Sequence, residues 1–214
     1  MAERAGVSCH VDACMGGMTL PFLEKLGHPI PAWDFRVPGV TSLSVDLHKY
    51  GYTAKGASVI PHRSKELRKH QTFQTDNWLG GFYASSGVLG TKSGGPIAAA
   101  WAVLHHLGEE GYLRLVRDAR AATEKLARWL RAREGAVLLV EPDATLLSFR
   151  FDDAYPFAVG DALWKRCWYL DRQAPPPSLH ATVNAVHAGT LDAFLADLAA
   201  AHDQVRGTAR SGDA

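Results

Sequence analysis

Two short stretches of the chain combine side chains that could carry out chemistry. His48 and Lys49 stand side by side in SVDLHKYGYTAKG, directly after an alternating apolar segment. Further upstream, the stretch HVDAC places Asp12 between His10 and Cys14. A lysine held at the end of a strand can act as a nucleophile toward an aldehyde, and a nearby carboxylate can hold a positive charge on the bound group.

Both stretches lie in predicted strands. Residues 6–13 are predicted to form a short buried strand, and residues 41–48 alternate with a period of two. Because side chains alternate along a strand, the His, Asp and Cys of HVDAC are expected to share one face. Ligands bind at the carboxyl ends of strands in open α/β sheets, so Asp12 and Lys49 are expected at one edge.

A lysine and a carboxylate at one sheet edge suit pyridoxal phosphate. This cofactor needs an amine for its Schiff base and a carboxylate that keeps its pyridine nitrogen protonated. His48 is placed to contact the cofactor phosphate or the substrate. Structural roles remain open: Asp12 could cap a helix or pair with an arginine, Lys49 could be a solvated charge, and His48 could cap a turn.

The remaining pattern predicts an α/β chain in two parts. Residues 1–134 are predicted to form part of a large domain, in which a glycine-rich ordered loop, 77–95, precedes helices over 96–133. Residues 135–206 alternate strands and helices in a βαβ-type order that predicts a small α/β lobe. Residues 207–214 are predicted to be a frayed tail.

Composition excludes several classes of protein. The 214 residues carry 23 basic and 22 acidic side chains, so no charge excess indicates nucleic acid or an anionic membrane. The apolar runs are too short to span a bilayer. The three cysteines lack the spacing of a zinc site, and their odd number favours a reducing, cytoplasmic location over disulfides.

Four motifs in chain order resemble the second half of the large domain in the group II pyridoxal-phosphate decarboxylase family. They are HVDAC, SLSVDLHKYGYTAKG, GGFYAS and GTKSGG. The stretch LDRQAPPPSLHATV, in the predicted lobe, resembles the sphingosine-1-phosphate lyase branch of that family. The resemblance implies part of a fold-type I large domain, with a mostly parallel sheet and flanking helices, followed by the small lobe. It also implies a homodimer in the full-length form.

The resemblance implies cofactor roles for six residues. Lys49 would form the Schiff base, and Asp12 would bind the pyridinium nitrogen. Thr91 would contact the cofactor phosphate from the partner subunit. The remaining three residues are implied to lie near the cofactor: His10, Cys14 and His48.

Some features depart from the family pattern. Lys92 and Ser93 replace an arginine and a proline in the GTKSGG loop, which keeps the charge but loses the bidentate fork. Asp46 stands where many decarboxylases carry serine, a substitution typical of the lyase branch. Family subunits are roughly twice this long and supply a phosphate-binding loop from their first half. An N-terminally truncated subunit is therefore expected.

Three functions remain open. The first is a carbon–carbon lyase that cleaves a phosphorylated sphingoid base, an amine substrate, into an aldehyde and phosphoethanolamine. The second is an amino-acid decarboxylase on the same scaffold, and the third is a non-catalytic fragment. An unrelated α/β domain would require all four motifs to agree by chance. Uncovered apolar faces would make the chain marginally stable and prone to association.

Overall fold

The computed structural model describes residues 1–207, and these fall into two compact units. The first unit is Met1–Gly111, and the second begins at Tyr112. The sequence placed a boundary after residue 134 instead, because the change in composition lies there. All but the first residue of the predicted frayed tail lie outside the described residues.

The first unit contains a small mixed sheet. β1 (His10–Asp12) pairs in parallel with β2 (Ser42–Asp46), and β2 pairs antiparallel with β3 (Ser58–Val59). β4 (Phe73–Thr75) and β5 (Tyr83–Ser85) form a separate antiparallel pair. The helices α1, α2 and α3 are Ala2–Ala5, Leu20–Lys25 and Lys65–Arg68, with 3₁₀ turns at Gly16–Met18 and Lys69–Gln71.

A glycine kink and a serine cap shape two helices of the chain, α4 and α3. α4 spans Gly94–Ala132 and is interrupted at Gly108, whose φ of 56° is left-handed and non-helical. The two predicted helices therefore meet at a glycine that breaks the regular backbone. Ser64 caps α3 by accepting a hydrogen bond from the Leu67 N–H, as its type and position predict.

The second unit is an antiparallel sheet with helices. β6 (Ala136–Leu138), β7 (Leu146–Phe151), β8 (Asp171–Gln173) and β9 (Ser178–Thr182) lie in the order β6-β7-β9-β8. α5 (Pro156–Trp164) and α6 (Leu191–Val205) follow β7 and β9, with a 3₁₀ turn at Ala185–Gly189. The predicted βαβ order is wrong in one respect: every pairing in this sheet is antiparallel, because the unpredicted β8 reverses into β9.

The core of the second unit encloses a polar network. His202 is fully buried and stacks on Phe151 with ring centroids 3.9 Å apart. Its Nδ1 accepts a hydrogen bond from Arg133 Nε at 3.2 Å, so its Nε2 donates to Asp153 Oδ1 at 2.7 Å. Arg206 Nε also donates to Asp153, at 2.5 Å. Each ring nitrogen of the buried imidazole is therefore satisfied, as burial requires.

Many large apolar side chains of the first unit are exposed. We call the following set the exposed apolar group, because each member leaves more than half of its surface uncovered: Phe73, Trp78, Leu79, Phe82, Val88, Leu89, Ile97 and Trp101. Large exposed apolar side chains in such number are typical of an interaction face. Within residues 1–207, no helix is both long and apolar enough to cross a membrane.

Candidate active site

The parallel pairing of β1 and β2 places Asp12 beside Ser44. The two residues are register partners, and Ser44 Oγ donates to Asp12 Oδ1 at 3.0 Å. The same Asp12 oxygen accepts the backbone N–H of Cys14 at 3.0 Å. His10, one pleat earlier on the same face, has its two ring nitrogens 2.9 Å from Ser42 Oγ and 3.3 Å from Ser44 Oγ.

A tight turn after β2 positions Lys49. The backbone N–H of Lys49 donates to Asp46 O at 3.2 Å, and the N–H of Tyr52 donates to Lys49 O at 3.1 Å. A β-carbon at position 51 would lie 2.3 Å from the carbonyl oxygen of Leu47, so only glycine fits there. This steric requirement explains why glycine follows HKY directly in this motif.

The amine of Lys49 lies between the ends of the two parallel strands. Its Nζ donates to Cys14 Sγ at 2.8 Å and forms an ion pair with Asp46 Oδ2 at 2.9 Å. These two contacts, that with Cys14 first, raise the pKa of Lys49 above its ordinary value. The amine is therefore charged at neutral pH in this arrangement.

The carboxyl of Asp12 is exposed and held in its charged form. The backbone N–H of Cys14 contributes most to lowering the pKa of Asp12, followed by the side chains of Cys14 and Ser44. The charge of Lys49 acts in the same direction. Asp12 thus presents a carboxylate, rather than a carboxylic acid, at the end of β1.

His48, the residue before Lys49, contacts the backbone of Ala57. Its Nδ1 lies 2.8 Å from Ala57 O, and because a carbonyl only accepts, Nδ1 carries a proton. Its Nε2 lies 3.8 Å from Asp46 Oδ2. The carbonyl of Ala57, the residue directly before β3, thereby fixes both the orientation and the tautomer of the imidazole.

The structure groups some of the predicted residues and leaves others apart. Asp12 and Lys49 each contact Cys14, and His48 adjoins the same turn. The prediction of a buried first strand is wrong: β1 has three residues, and the side chains of His10 and Asp12 are exposed. Thr91 lies exposed in the loop before α4, and its role stays a prediction.

Sequence reasoning missed two serines that hold the acidic groups. Ser44 donates to Asp12, and Ser58 donates to Asp46 Oδ1 at 2.5 Å. The period-two pattern of β2 could have indicated Ser44, because it shares a face with the neighbouring Asp12. Ser58 gave no such signal, since it reaches Asp46 only through the antiparallel register of β2 and β3.

These side chains fit pyridoxal phosphate. The cofactor requires an accessible amine and an ionised carboxylate at one site. Lys49 offers the amine and Asp12 the charged, exposed carboxylate, and the Cys14 side chain lies against the amine between them. The residues that would hold the ring are therefore Lys49 and Asp12.

The chain belongs to the family of the pyridoxal-dependent decarboxylase conserved domain. The model of that family matches residues 1–152. This confirms the predicted family and its cofactor class. Solved structures of fold-type I pyridoxal-phosphate enzymes confirm the predicted fold class as well.

The relatives include several lyases. The sphingosine-1-phosphate lyase of Dictyostelium discoideum is 42% identical over 92% of this chain and 37% of its own length. The enzyme of that name from Oryza sativa subsp. japonica is 39% identical over 96% of this chain and 38% of its own. The chain thus spans less than two fifths of these two relatives.

Two solved structures share the fold. The sphingosine-1-phosphate lyase of Burkholderia pseudomallei superposes with a TM-score of 0.89 at 39% identity, over 96% of this chain and 47% of that one. A glutamate decarboxylase from Lactobacillus brevis gives 0.76 at 22% identity, over 99% of this chain and 51% of that one. The latter likeness concerns the fold alone.

Proposed function

We propose that this chain supplies the lysine-bearing part of a pyridoxal-phosphate-dependent carbon–carbon lyase. The substrate is a phosphorylated long-chain amine of the sphingosine-1-phosphate type, and the products are a long-chain aldehyde and phosphoethanolamine. One observation carries the proposal: Lys49 and Asp12 meet at Cys14, where two parallel strands end. The names of the relatives that match most of this chain support the choice of substrate.

Each residue of the site has a distinct task in this proposal. When bound, pyridoxal phosphate withdraws electrons from the carbon that bears the substrate amine. Asp12 stays ionised and pairs with the protonated ring nitrogen, which its lowered pKa favours. Lys49 provides the amine that anchors the cofactor. His48, with Nδ1 held by Ala57 O, directs Nε2 toward the Asp46 side of the site.

We propose a homodimer as the working form. The exposed apolar group supports it, because such residues are rarely left uncovered together. A second subunit that covers this group would also bring a loop such as that of Thr91 to a neighbouring site. The three free cysteines support a cytoplasmic location.

Covalent labelling tests the cofactor assignment. The chain is incubated with pyridoxal phosphate and reduced with borohydride, and each lysine-containing peptide is quantified by mass spectrometry. We expect label concentrated on Lys49, together with a visible absorption band that Lys49→Ala removes. Lys55→Ala, which changes an exposed lysine six residues away, should leave both signals in place. Label spread evenly over the surface lysines would contradict the proposal.

Product analysis separates the lyase from the alternatives. A longer protein that contains this segment is supplied with a phosphorylated long-chain base and with a panel of amino acids. Release of a long-chain aldehyde supports the lyase, whereas release of carbon dioxide from an amino acid supports a decarboxylase. Neither product, with no label on Lys49, would indicate a non-catalytic chain.

A further inference from the structure

Asp46 is held at both of its carboxylate oxygens. Oδ1 accepts the Ser58 hydroxyl at 2.5 Å, and Oδ2 accepts Lys49 Nζ at 2.9 Å. Its side chain is 18% exposed, about half the exposed fraction of the Lys49 side chain. Because β3 fixes one oxygen, the other oxygen presents a fixed acceptor to the lysine.

The surroundings of Lys49 leave Asp46 as its only directly bonded carboxylate among the described residues. Cys14 Sγ is the second direct partner of the amine, at 2.8 Å. The charge of Lys49 helps to lower the pKa of Asp12, and His48 Nε2 lies 3.8 Å from Asp46 Oδ2. Burial acts to raise the pKa of Asp46, but the hydrogen bonds from Ser58 and Lys49 outweigh it, and the net effect lowers that pKa.

We propose that Asp46 is a positioning residue for Lys49. Anchored by Ser58, it holds the free amine charged and directed toward Cys14 at the end of β1. A charged amine does not attack carbonyl compounds, so Asp46 both aims Lys49 and lowers the reactivity of its amine. This inference rests on the proposed function, since it gives Asp46 a task toward the lysine that would anchor pyridoxal phosphate.

Competitive acetylation of lysines measures the charge state directly. The 214-residue chain is treated with trace acetic anhydride between pH 6 and 11, and acetylation of each lysine peptide is quantified. Asp46→Asn should move the titration of Lys49 to lower pH and raise its acetylation at pH 7.5 about fivefold, the size expected for a partly exposed ion pair. Lys55 in the same digest serves as the internal reference.

A second measurement separates positioning from a merely structural effect. In Asp46→Asn, the ratio of the labelling rate by pyridoxal phosphate to the acetylation rate of Lys49 should fall, because the larger share of neutral amine speeds both reactions whereas only cofactor labelling also needs the amine in position. A general loosening of the fold would change the two reactions, and Lys55 with them, in the same direction. A fall in this ratio that is confined to Lys49 is therefore the signature of a lost positioning contact.

Three further variants keep the inference open to refutation. Ser58→Ala, which frees Asp46 Oδ1, should shift the Lys49 titration in the same direction by a smaller amount. Cys14→Ala measures how much the Cys14 thiol contributes to the Lys49 titration. Asp34→Asn removes a carboxylate that pairs with Arg36 and should change nothing at Lys49.

Two results would overturn the inference. The first is a Lys49 titration that is the same in the parent, Asp46→Asn and Ser58→Ala. The second is a Lys49 shift that Lys55 matches. If circular dichroism shows that Asp46→Asn is unfolded, the Lys49 titration in Ser58→Ala alone decides whether the inference holds. Acetylation requires no cofactor, so failure of pyridoxal phosphate to label Lys49 would contradict the proposed function and leave this test intact.

Discussion

Gly51→Ala should displace Lys49 without touching any charged group. The added methyl would lie 2.3 Å from Leu47 O, whereas β-carbons essentially never approach closer than 3.0 Å. The turn must therefore open by about 0.7 Å, and the obstacle is backbone rather than a flexible side chain. A misplacement of about 1 Å can cost about a hundredfold in the rate of a positioned reaction. We expect pyridoxal phosphate to label Lys49 between 10- and 100-fold more slowly, a range set by that estimate.

The matched control for this substitution is Gly94→Ala. A β-carbon at Gly94, the first residue of α4, meets no atom within 4 Å. Labelling rates of the parent and both variants are compared at one pH, and thermal melts report the cost in stability, about 1–3 kcal/mol for a strained core turn. A Gly51→Ala chain that labels Lys49 as fast as the parent would show that this turn does not set the position of the amine.

Three other predictions concern packing, stability in acid and association of the chain. His202→Ala leaves Arg133 and Asp153 without their buried partner and should lower the free energy of unfolding, measured by urea titration, by about 2–4 kcal/mol. The control Gln204→Ala, at an exposed position on the same helix, should change that free energy by less than about 0.5 kcal/mol. The lowered pKa of Asp153 contributes stability that is complete above the ordinary value of 3.8 and is lost as pH falls through the lowered value. Asp153→Asn should therefore flatten the acid limb of a melting-temperature profile, and parallel profiles would contradict this. The whole chain should associate through the exposed apolar group, which sedimentation at several concentrations measures; a sharp two-state melt of a monomer would argue against it.

The placement of Asp12 and Lys49 at one sheet edge, where both contact Cys14, could be predicted because it follows from a general rule of parallel sheets. The residue types specified the chemistry, and the position of each at the end of a strand specified the shared edge. The Asp46–Ser58 contact could not be predicted, because it depends on the register between β2 and a two-residue strand. Such a short pairing leaves no periodic pattern in the sequence.

Errors in the elements have equally specific causes. β8 has three polar, exposed residues, so no apolar alternation marks it, and it forms only by pairing with β9. The apolar pattern of residues 159–170 predicts a helix, and α5 begins three residues earlier, at Pro156, because proline at the first turn starts a helix before that pattern becomes clear. β1 is shorter and more exposed than predicted because His10 and Asp12 direct polar side chains to the site.

The sequence separations within the site determine when it assembles as the chain folds. Lys49 and Asp46 are three residues apart, so their contact forms with the local turn. The contacts of Ser44 with Asp12 and of Lys49 with Cys14 close loops of 32 and 35 residues through a parallel strand pair, which is a slow and entropically costly step. The contact of Lys49 with Asp46 needs only the local turn, whereas the meeting of Lys49 and Asp12 at Cys14 needs the folded sheet. A ligand that needs both groups would bind only the folded chain and would stabilise it by mass action.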